Sequence, residues 1–410
     1  MRAYERLLKY VVVNTTSHEE NEAQVPSGAG EFDLARLLAD EMKALGLEGV
    51  RVDEHAYTYG FLPATPGYES VPALGLNAHL DTVDDCGGTD THPQVIRNYD
   101  GGPVTLGASG KKLDPAQFPH LRDCVGKTLL VTDGTSVLGA DDKAGIAIIM
   151  TAAERLLTDH LPHGKLCLCF SPDEEIGHGA RLLDLEAFGA EYAYTLDGSA
   201  PNMVEYETFN AAQAKLLFHG FSVHPGSAKD KMLNAQLIAM EANGMLPPEE
   251  IPARTEGYEG FYHLTDMQGT VSEASLTYIL RDHDADRFET RKARMREIAS
   301  RLNEKYGPGT VVCEIRDQYR NMAEVIRKNP VVLELAKTAI REVGLTPECP
   351  PVRGGTDGAQ LSLRGLPCPN LGTGGYAYHG PYEHAVAEEM DQSVDILMNI
   401  VRLFTELPRA

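Results

Sequence analysis

Short apolar runs in the first half of the chain predict the strands of a buried sheet. Each is bounded by polar or turn-forming residues, and the four clearest are Ala73–Ala78, Thr128–Val131, Lys165–Phe170 and Tyr192–Leu196. Residues 2–14, 32–45 and 144–157 carry apolar side chains at helical spacing. Ser27 or Asp33 is expected to cap the second of these helices. Strands that alternate with helices are typical of an α/β fold, here a mainly parallel mixed sheet with helices on both faces.

A different order of elements begins near residue 208 and predicts an inserted domain. The pattern indicates strand, helix, strand, strand, helix and strand at residues 214–218, 232–245, 262–269, 274–281, 284–306 and 310–316. This β-α-β-β-α-β order is ferredoxin-like and belongs to the α+β class. The rest of the chain predicts a helix at 330–343, a short strand at 369–371, a Gly-rich loop at 372–380 and a helix at 390–407. We therefore expect a discontinuous domain of residues 1–207 and 321–410, interrupted by a smaller domain of residues 208–320.

Composition and charge exclude several classes of protein. The 410 residues are 42% hydrophobic and 24% charged, which excludes a wholly disordered chain and is enough for two or three domains. Lys and Arg number 37 against 60 Asp and Glu, a net charge of −23. This excess argues against nucleic acid or a membrane surface as a partner. Solubility alone would explain it, and the alternative is that some carboxylates bind cations.

The cysteines and the apolar runs bear on the compartment. The seven cysteines are scattered and form no CxxC pair, so the pattern favours neither a disulfide framework nor a thiolate zinc site. The first 20 residues lack a signal-peptide pattern, and no run of 18 apolar residues occurs. We therefore expect a cytoplasmic protein.

Polar side chains follow three of the predicted strands at the point where each strand ends. The segment His79-Leu80-Asp81 follows the first strand, Asp173-Glu174-Glu175 follows the third, and Asp197 follows the fourth. The carboxyl ends of parallel strands meet at one edge of a sheet, where ligands bind. Gly139–Lys143, which carries Asp141 and Asp142 ahead of a helix, and His379 in the Gly-rich loop can join them there.

Converging carboxylates repel one another in a partly dry cleft, and a divalent cation removes that repulsion. A set of imidazoles and carboxylates without thiolates suits zinc, with manganese or cobalt as alternatives.

Each of these residues has an ordinary structural explanation when it is considered alone. A single His after a strand is usually a surface residue, Asp-Glu-Glu is usually a solvated turn, and Asp141 or Asp142 can be a helix N-cap. The joint placement of these residues favours the metal site.

Six motifs in this order resemble the co-catalytic di-zinc metallopeptidases, which include aminoacylases, glutamate carboxypeptidases and tripeptide aminopeptidases. The motifs are HLDTV (79–83), GADDKAG (139–145), DEEIG (173–177), LDG (196–198), RGGTDG (353–358) and YHGPYE (378–383). The resemblance spans nearly the whole chain, the inserted domain included. In its length and in the segments GADDKAG, FHGFSVHPGSAK and TGGYAYHG, the chain most resembles the tripeptide aminopeptidases.

The resemblance implies a role for each matching residue. His79, Asp141 and Asp197 would hold one zinc ion, and Asp141, Glu175 and His379 would hold the other, with Asp141 as the bridge. Asp81 would orient His79, and Glu174 would be the general base that takes a proton from water and delivers it to the leaving amine. Asp at position 197 fits aminopeptidases and aminoacylases better than glutamate-releasing carboxypeptidases.

The inserted domain would act as a lid that binds substrate. His224 resembles the family histidine that closes over the scissile carbonyl, where a donor stabilises the developing oxyanion. Arg281 at the end of a strand, and Arg353, are candidates to clamp the carboxylate of a short peptide. A structural salt bridge is the alternative role for either Arg. Some family members complete the site with a lid histidine from a partner subunit, so the sequence leaves open whether the protein acts as a monomer or a homodimer.

Three functions are compatible with these residues. The first is an aminopeptidase that removes the N-terminal residue of tripeptides with two zinc ions per subunit. The second is a related amidohydrolase, a dipeptidase or an N-acyl amino acid deacylase. The third is a non-catalytic binding module, which the presence of Glu174 and all five ligand positions disfavours. A purely structural metal would be closed by four protein ligands, whereas three ligands per ion leave an open position.

Overall fold

The computed structural model describes residues 1–21, 23–86 and 90–407 and divides the chain into two compact units. The first unit comprises Met1–Tyr206, Met322–Pro350 and Thr356–Ala410. The second comprises Glu207–Asn321 and Pro351–Gly355. The short segment Pro351–Gly355 is therefore part of the second unit, although the sequence pattern placed it in the first.

Strands and helices alternate along much of the chain. The strands, in chain order, are β1 (Glu48–Val52), β2 (Thr58–Leu62), β3 (Leu74–His79), β4 (Gln94–Ile96), β5 (Val104–Leu106), β6 (Lys111–Leu113), β7 (Leu129–Val131), β8 (Leu166–Ser171), β9 (Tyr192–Gly198), β10 (Val204–Glu205), β11 (Asn210–His219), β12 (Phe261–Gly269), β13 (Glu273–Asp282), β14 (Val311–Tyr319), β15 (Asn370–Gly372), β16 (Gly375–Tyr376) and β17 (His384–Val386). The α-helices are α1 (Ala3–Tyr10), α2 (Glu31–Leu45), α3 (Ala140–Thr158), α4 (Leu185–Phe188), α5 (Ala235–Gly244), α6 (Ala285–Tyr306), α7 (Ala323–Lys328), α8 (Pro330–Glu342), α9 (Asp357–Leu363) and α10 (Ala387–Thr405).

The main sheet of the first unit has the strand order β1-β2-β8-β3-β9-β15-β10 within the described residues. Its centre is parallel, because β3 pairs in parallel with β8 and β9, and β15 pairs in parallel with β9. The outer strands β1 and β2 on one side and the edge strand β10 on the other pair antiparallel. This is the predicted mainly parallel mixed sheet.

Both faces of this sheet are buried, as the unbroken apolar runs predict. On β8, Leu168 and Phe170 pack into a core with apolar residues of α1, α2, α3, α8 and α10. The alternating residues Cys167 and Cys169 face a second core that includes Phe188 of α4 and Leu361 of α9. Period-two alternation along one strand thus supplies two cores, one on each side of the sheet.

The position of β7 was predicted wrongly. The run Thr128–Val131 was expected to join the parallel sheet, but β7 pairs antiparallel with β4 and β17 in a separate sheet of order β16-β17-β7-β4. A parallel neighbour needs a long crossover, usually a helix. The segment between β3 and β7 instead forms short strands and a hairpin, β5–β6, with its own small core around Leu113, Leu121 and Val131.

The second unit has the ferredoxin-like element order that the sequence predicts. Its sheet runs β12-β13-β11-β14 with every pairing antiparallel. Helices α5 and α6 pack on one face through apolar residues such as Ile238, Phe288 and Met295. Asp284 caps α6 by accepting a hydrogen bond from the Arg287 N–H, 2.8 Å away. This unit therefore has a hydrophobic core of its own.

The cap of α2 also differs from the prediction. Gly30 occupies the N-cap position and offers no side chain, and neither Ser27 nor Asp33 caps the helix. Ser27 instead hydrogen-bonds the carboxylate of Asp173, which precedes the Glu174-Glu175 pair. In the part of the chain that the structure describes, no helix combines the length and the apolar character needed to cross a bilayer.

Candidate metal centre

Three neighbouring strands bring the candidate residues to one edge of the main sheet. His79 is the last residue of β3, Asp197 is the last residue but one of β9, and Glu175 lies four residues after β8 ends at Ser171. The strands lie side by side in the order β8-β3-β9 and run parallel. Their carboxyl ends therefore share an edge, as the sequence predicts.

The first group of candidate ligands comprises His79, Asp141 and Asp197. The Nε2 atom of His79 lies 2.9 Å from Asp141 Oδ1 and 3.6 Å from Asp197 Oδ1. One potential ligand atom from each of the three residues lies within 4.8 Å of the others. Asp197 is fixed from behind, because Asn370 Oδ1 accepts a hydrogen bond from its backbone N–H at 2.9 Å.

The second group shares Asp141 with the first. His379 Nε2 lies 3.3 Å from Asp141 Oδ2 and 3.1 Å from Glu175 Oε2. The two oxygens of Asp141 thus face different histidines, which is the arrangement of a carboxylate that bridges two ions. The backbone at Asp141 is not helical although α3 begins at Ala140, and the Asp141–Asp142 peptide bond is cis.

Asp81 is buried and contacts three parts of the site. His79 Nδ1 lies 3.1 Å from the backbone oxygen of Asp81 and 3.2 Å from its Oδ1, so Asp81 can orient the imidazole as the resemblance implies. The backbone N–H groups of Glu174 and Glu175 donate to Oδ1 and Oδ2 at 2.9 and 3.1 Å. One carboxylate therefore fixes a candidate ligand together with the loop that carries the candidate base and a second ligand.

Burial and mutual repulsion shift the pKa values of the carboxyl groups. Burial, followed by the charge of Asp141, raises the pKa of Glu175 to about 7 and that of Asp197 well above its usual range. Burial and the charge of Asp197 likewise raise the pKa of Glu174. Hydrogen bonds to Asp141 and Glu175 raise the pKa of His379 to about 11. Bound protons therefore offset the negative charge of these carboxylates, and a bound divalent cation would offset it in their place.

The residues present fit divalent cations. The Glu175 Oε1 atom is buried and finds no hydrogen-bond partner among the described residues, although Glu175 Oε2 faces His379. A buried carboxylate oxygen without a donor costs about 1–3 kcal/mol or more, and a cation offsets that cost. Two imidazoles and three carboxylates form an N/O donor set that suits zinc, cobalt or manganese.

Two supporting residues were missed or given another role by sequence reasoning. Asp142 was considered only as a helix cap, and its Oδ1 does accept the Gly145 N–H at 3.2 Å, while Oδ2 accepts the His79 N–H at 3.1 Å. Asp357 is buried, and Ser171 Oγ donates to it at 2.6 Å. Asp357 belongs to the RGGTDG motif, but the motif does not indicate that this residue contacts Ser171 at the end of β8.

His224 lies in the second unit, at the start of a short 3₁₀ turn, Pro225–Ser227. Its Nδ1 accepts a hydrogen bond from the Gly226 N–H at 3.1 Å. A neutral histidine whose Nδ1 accepts must carry its proton on Nε2. The turn therefore presents Nε2–H as a hydrogen-bond donor.

Arg281 and Arg353, also in the second unit, have different surroundings. Arg281 is half-buried beside Tyr319, and its Nη1 donates to Leu280 O at 3.0 Å and to Ala212 O at 3.4 Å. Burial lowers its pKa, and it forms no ion pair with a described carboxylate. Arg353 donates to Gly257 O and Glu259 O at 3.0 and 2.7 Å and to the hydroxyl of Thr255 at 2.8 Å. The contacts of Arg353 tie Pro351–Gly355 to the loop at 255–259 within this unit.

Comparison with known proteins assigns the family. Residues 138–403 match the description "Peptidase family M20/M25/M40". The peptidase T of Alkaliphilus oremlandii is 46% identical over 405 residues, which cover 98% of this chain and 99% of that protein. The peptidase T of Desulfitobacterium hafniense is 49% identical, with 98% of both chains covered. The chain belongs to peptidase family M20/M25/M40. The family resemblance predicted from the motifs is confirmed.

Solved structures of three bacterial proteins show the same fold. An aminopeptidase PepT of Bacillus cereus has a TM-score of 0.76 at 24% identity, with 98% of both chains covered. A tripeptidase of Staphylococcus aureus has a TM-score of 0.77 at 22% identity, with 99% of this chain and 100% of that chain covered. The YXEP protein of Bacillus subtilis, described as a dinuclear metal-binding peptidase of the M20 family, has a TM-score of 0.66 at 14% identity over 99% of both chains.

Proposed function

We propose that this protein is a metal-dependent aminopeptidase that releases the N-terminal residue of tripeptides. The observation that carries the proposal is Asp141, whose two carboxylate oxygens face His79 and His379 in two adjoining ligand groups. The full-length similarity to proteins named peptidase T supports the tripeptide as substrate.

We assign one divalent cation to His79, Asp141 and Asp197 and a second to Asp141, Glu175 and His379. Zinc is the cation we propose, because the donor set contains imidazole and carboxylate groups and leaves an open position at each ion. Two such cations supply Lewis acidity, which lowers the pKa of water toward about 7 and polarises the scissile carbonyl.

Glu174 is the general base in this proposal. It adjoins the ligand Glu175, and its backbone N–H is held by Asp81. A carboxyl group with a raised pKa can accept a proton from the attacking water and release it again to the leaving amine. Asp81 contributes by fixing both this residue and His79.

The second unit contributes the residues that bind substrate. The Nε2–H of His224 is suited to donate to the oxyanion that develops from the scissile carbonyl. Arg281, desolvated and without a carboxylate partner among the described residues, is suited to hold the peptide's terminal carboxylate. Arg353 was the other candidate. Its Nη1 and Nη2 both donate to the loop at 255–259 of its own unit, so we assign it an anchoring role.

A substrate comparison tests the proposed activity. The zinc-loaded protein is expected to release free alanine from tri-alanine faster than it hydrolyses di-alanine or N-acetyl-alanine. Di-alanine has the free amine but not the longer peptide, and N-acetyl-alanine has neither, so only tri-alanine offers both features. Preferential hydrolysis of N-acetyl-alanine would replace the proposal with an amino acid deacylase, and preferential hydrolysis of di-alanine would replace it with a dipeptidase.

A further inference from the structure

Glu383 is a buried carboxylate that lies four residues beyond His379. Its side chain is 1% exposed. Its Oε2 accepts the Gly139 N–H and its Oε1 accepts the Asp141 N–H, both at 2.9 Å. Both oxygens are therefore used by the backbone of one short segment, the segment that carries the shared carboxylate.

The backbone at the start of α3 needs such an acceptor. The first N–H groups of a helix have no partner within the helix. Gly139 has a φ of 76° in the left-handed region, and Asp141 has a φ of −84° and a ψ of 102°, which are not helical values. A carboxylate at this place stabilises the partial positive charge of the helix start and satisfies two donors at once.

Glu383 also belongs to the segment that presents His379. His379 has a φ of 60°, and its side chain is 47% exposed, more than that of His79, Asp141 or Glu175. The Glu383 N–H donates to Gly380 O at 3.1 Å, which closes the turn just after His379. One residue thus connects the His379 turn to the backbone of Asp141.

We propose that Glu383 is a positioning residue that fixes the backbone of Asp141. The two carboxylate oxygens of Asp141 can then reach both proposed cation sites, one of which includes His379. This inference rests on the two-cation site of the proposed function. Glu383 is not one of the candidate ligands, and its carboxylate acts through the backbone N–H groups of Gly139 and Asp141. Groups that orient ligands in this way typically change metal affinity or activity by about 10–100-fold when replaced.

The test compares Glu383→Gln with Glu41→Gln. The Gln side chain keeps one acceptor oxygen but turns an amide N–H₂ toward a backbone N–H. Glu41 is a matched control, because it also accepts two hydrogen bonds, from Arg6 and Tyr10 at 2.7 Å, without contact to the candidate ligands. Each metal-free protein is titrated with Co²⁺, read by visible absorption, after thermal unfolding has shown that it is folded.

Glu383→Gln is expected to bind Co²⁺ about 10–100-fold more weakly than the wild type. It is also expected to hydrolyse tri-alanine at saturating Co²⁺ with a lower kcat and an unchanged KM. Glu41→Gln is expected to keep the wild-type affinity for Co²⁺. Wild-type Co²⁺ affinity in folded Glu383→Gln would overturn the positioning role.

A second variant, Glu383→Asp, tests the inference if Glu383→Gln does not fold. Glu383→Asp keeps the charge but shortens the reach to both N–H groups, so weaker Co²⁺ binding is expected there too, and wild-type affinity would contradict the inference. Failure of the wild type to bind Co²⁺ would overturn the proposed function itself. Equal Co²⁺ affinity in wild type and variant would remove only the role of Glu383.

Discussion

At the residue scale, Asp81 shows how one buried side chain organises several others. Its carboxylate faces the Nδ1 of His79 and accepts the backbone N–H groups of Glu174 and Glu175. The same group therefore sets the ring orientation of one candidate ligand and the backbone position of the candidate base. Replacing an oxygen of Asp81 by an amide N–H₂ places a donor against a donor.

Asp81→Asn is expected to lower kcat for tri-alanine by about 10–100-fold, the range typical of residues that orient metal ligands. The physical reason is the loss of an acceptor at the Glu174–Glu175 loop together with a weaker hold on His79. Steady-state kinetics at saturating zinc measure this. The control is Asp100→Asn, because the Asp100 carboxylate accepts only the nearby Gly102 N–H in an exposed turn. Equal kcat values for the two variants would contradict the role of Asp81.

The sequence predicted the ligand types but not all of their supports. His79, Glu175 and Asp197 could be found because each follows an apolar strand, and strand ends share an edge. Asp142, Asn370 and Glu383 were given no such role. Each accepts a hydrogen bond from a backbone N–H that is distant in sequence, and such a contact leaves no periodic signal along the chain.

At the scale of elements, the strand pair β16–β17 flanks the loop that carries His379. Aromatic residues of both strands pack against the segment at 118–124. His384 Nε2 lies 2.7 Å from His120 Nε2, the two rings are stacked with centroids 4.9 Å apart, and Tyr376 stacks on His120 at 4.2 Å. These contacts were not predicted, because the short strands between β3 and β7 have too few residues to show a pattern.

The stability of this region should depend on pH through His384. Burial lowers the pKa of His384 from 6.5 to about 4. The unfolded chain therefore binds the proton more readily, so stability is full above about pH 6.5 and is lost as the pH falls toward 4. A shift of about 2.5 pKa units corresponds to roughly 3 kcal/mol.

Urea unfolding of the metal-free protein at about pH 7 and about pH 4 measures this dependence. His384→Gln is expected to lose roughly 3 kcal/mol less than the wild type between the two pH values. His92→Gln serves as the control, since the His92 side chain is 67% exposed. An identical pH dependence in wild type and His384→Gln would show that His384 does not titrate in this way.

At the scale of the whole molecule, the chain forms two units with separate hydrophobic cores. The element order of the second unit and the parallel centre of the main sheet in the first unit were predictable, because apolar runs and helical spacing mark those elements. The short strands β4, β5 and β6 were not predictable. The bounds of the two units were less predictable, and Pro351–Gly355 shows why. Its place in the second unit is set by hydrogen bonds of Arg353 to a loop almost 100 residues earlier, which no local pattern encodes.

The role proposed for the second unit predicts a length preference. If Arg281 holds the terminal carboxylate, Arg281→Ala should raise KM for tri-alanine and reduce the preference for tripeptides over longer peptides, because the fixed reach from carboxylate to scissile bond is lost. Arg316→Ala on β14 of the same sheet, whose side chain is exposed, is the control. An unchanged ratio of kcat/KM for tri-alanine and tetra-alanine would remove Arg281 from substrate binding.

The most direct test of the whole account measures zinc content and tri-alanine hydrolysis together in wild type and Glu174→Gln. The account predicts two zinc ions per chain in both proteins, with kcat reduced by about 10²–10⁴-fold in the variant, because the ligands remain and the base is gone. Full activity of Glu174→Gln would contradict the proposed mechanism, and a wild-type protein without bound zinc would contradict the proposed metal centre.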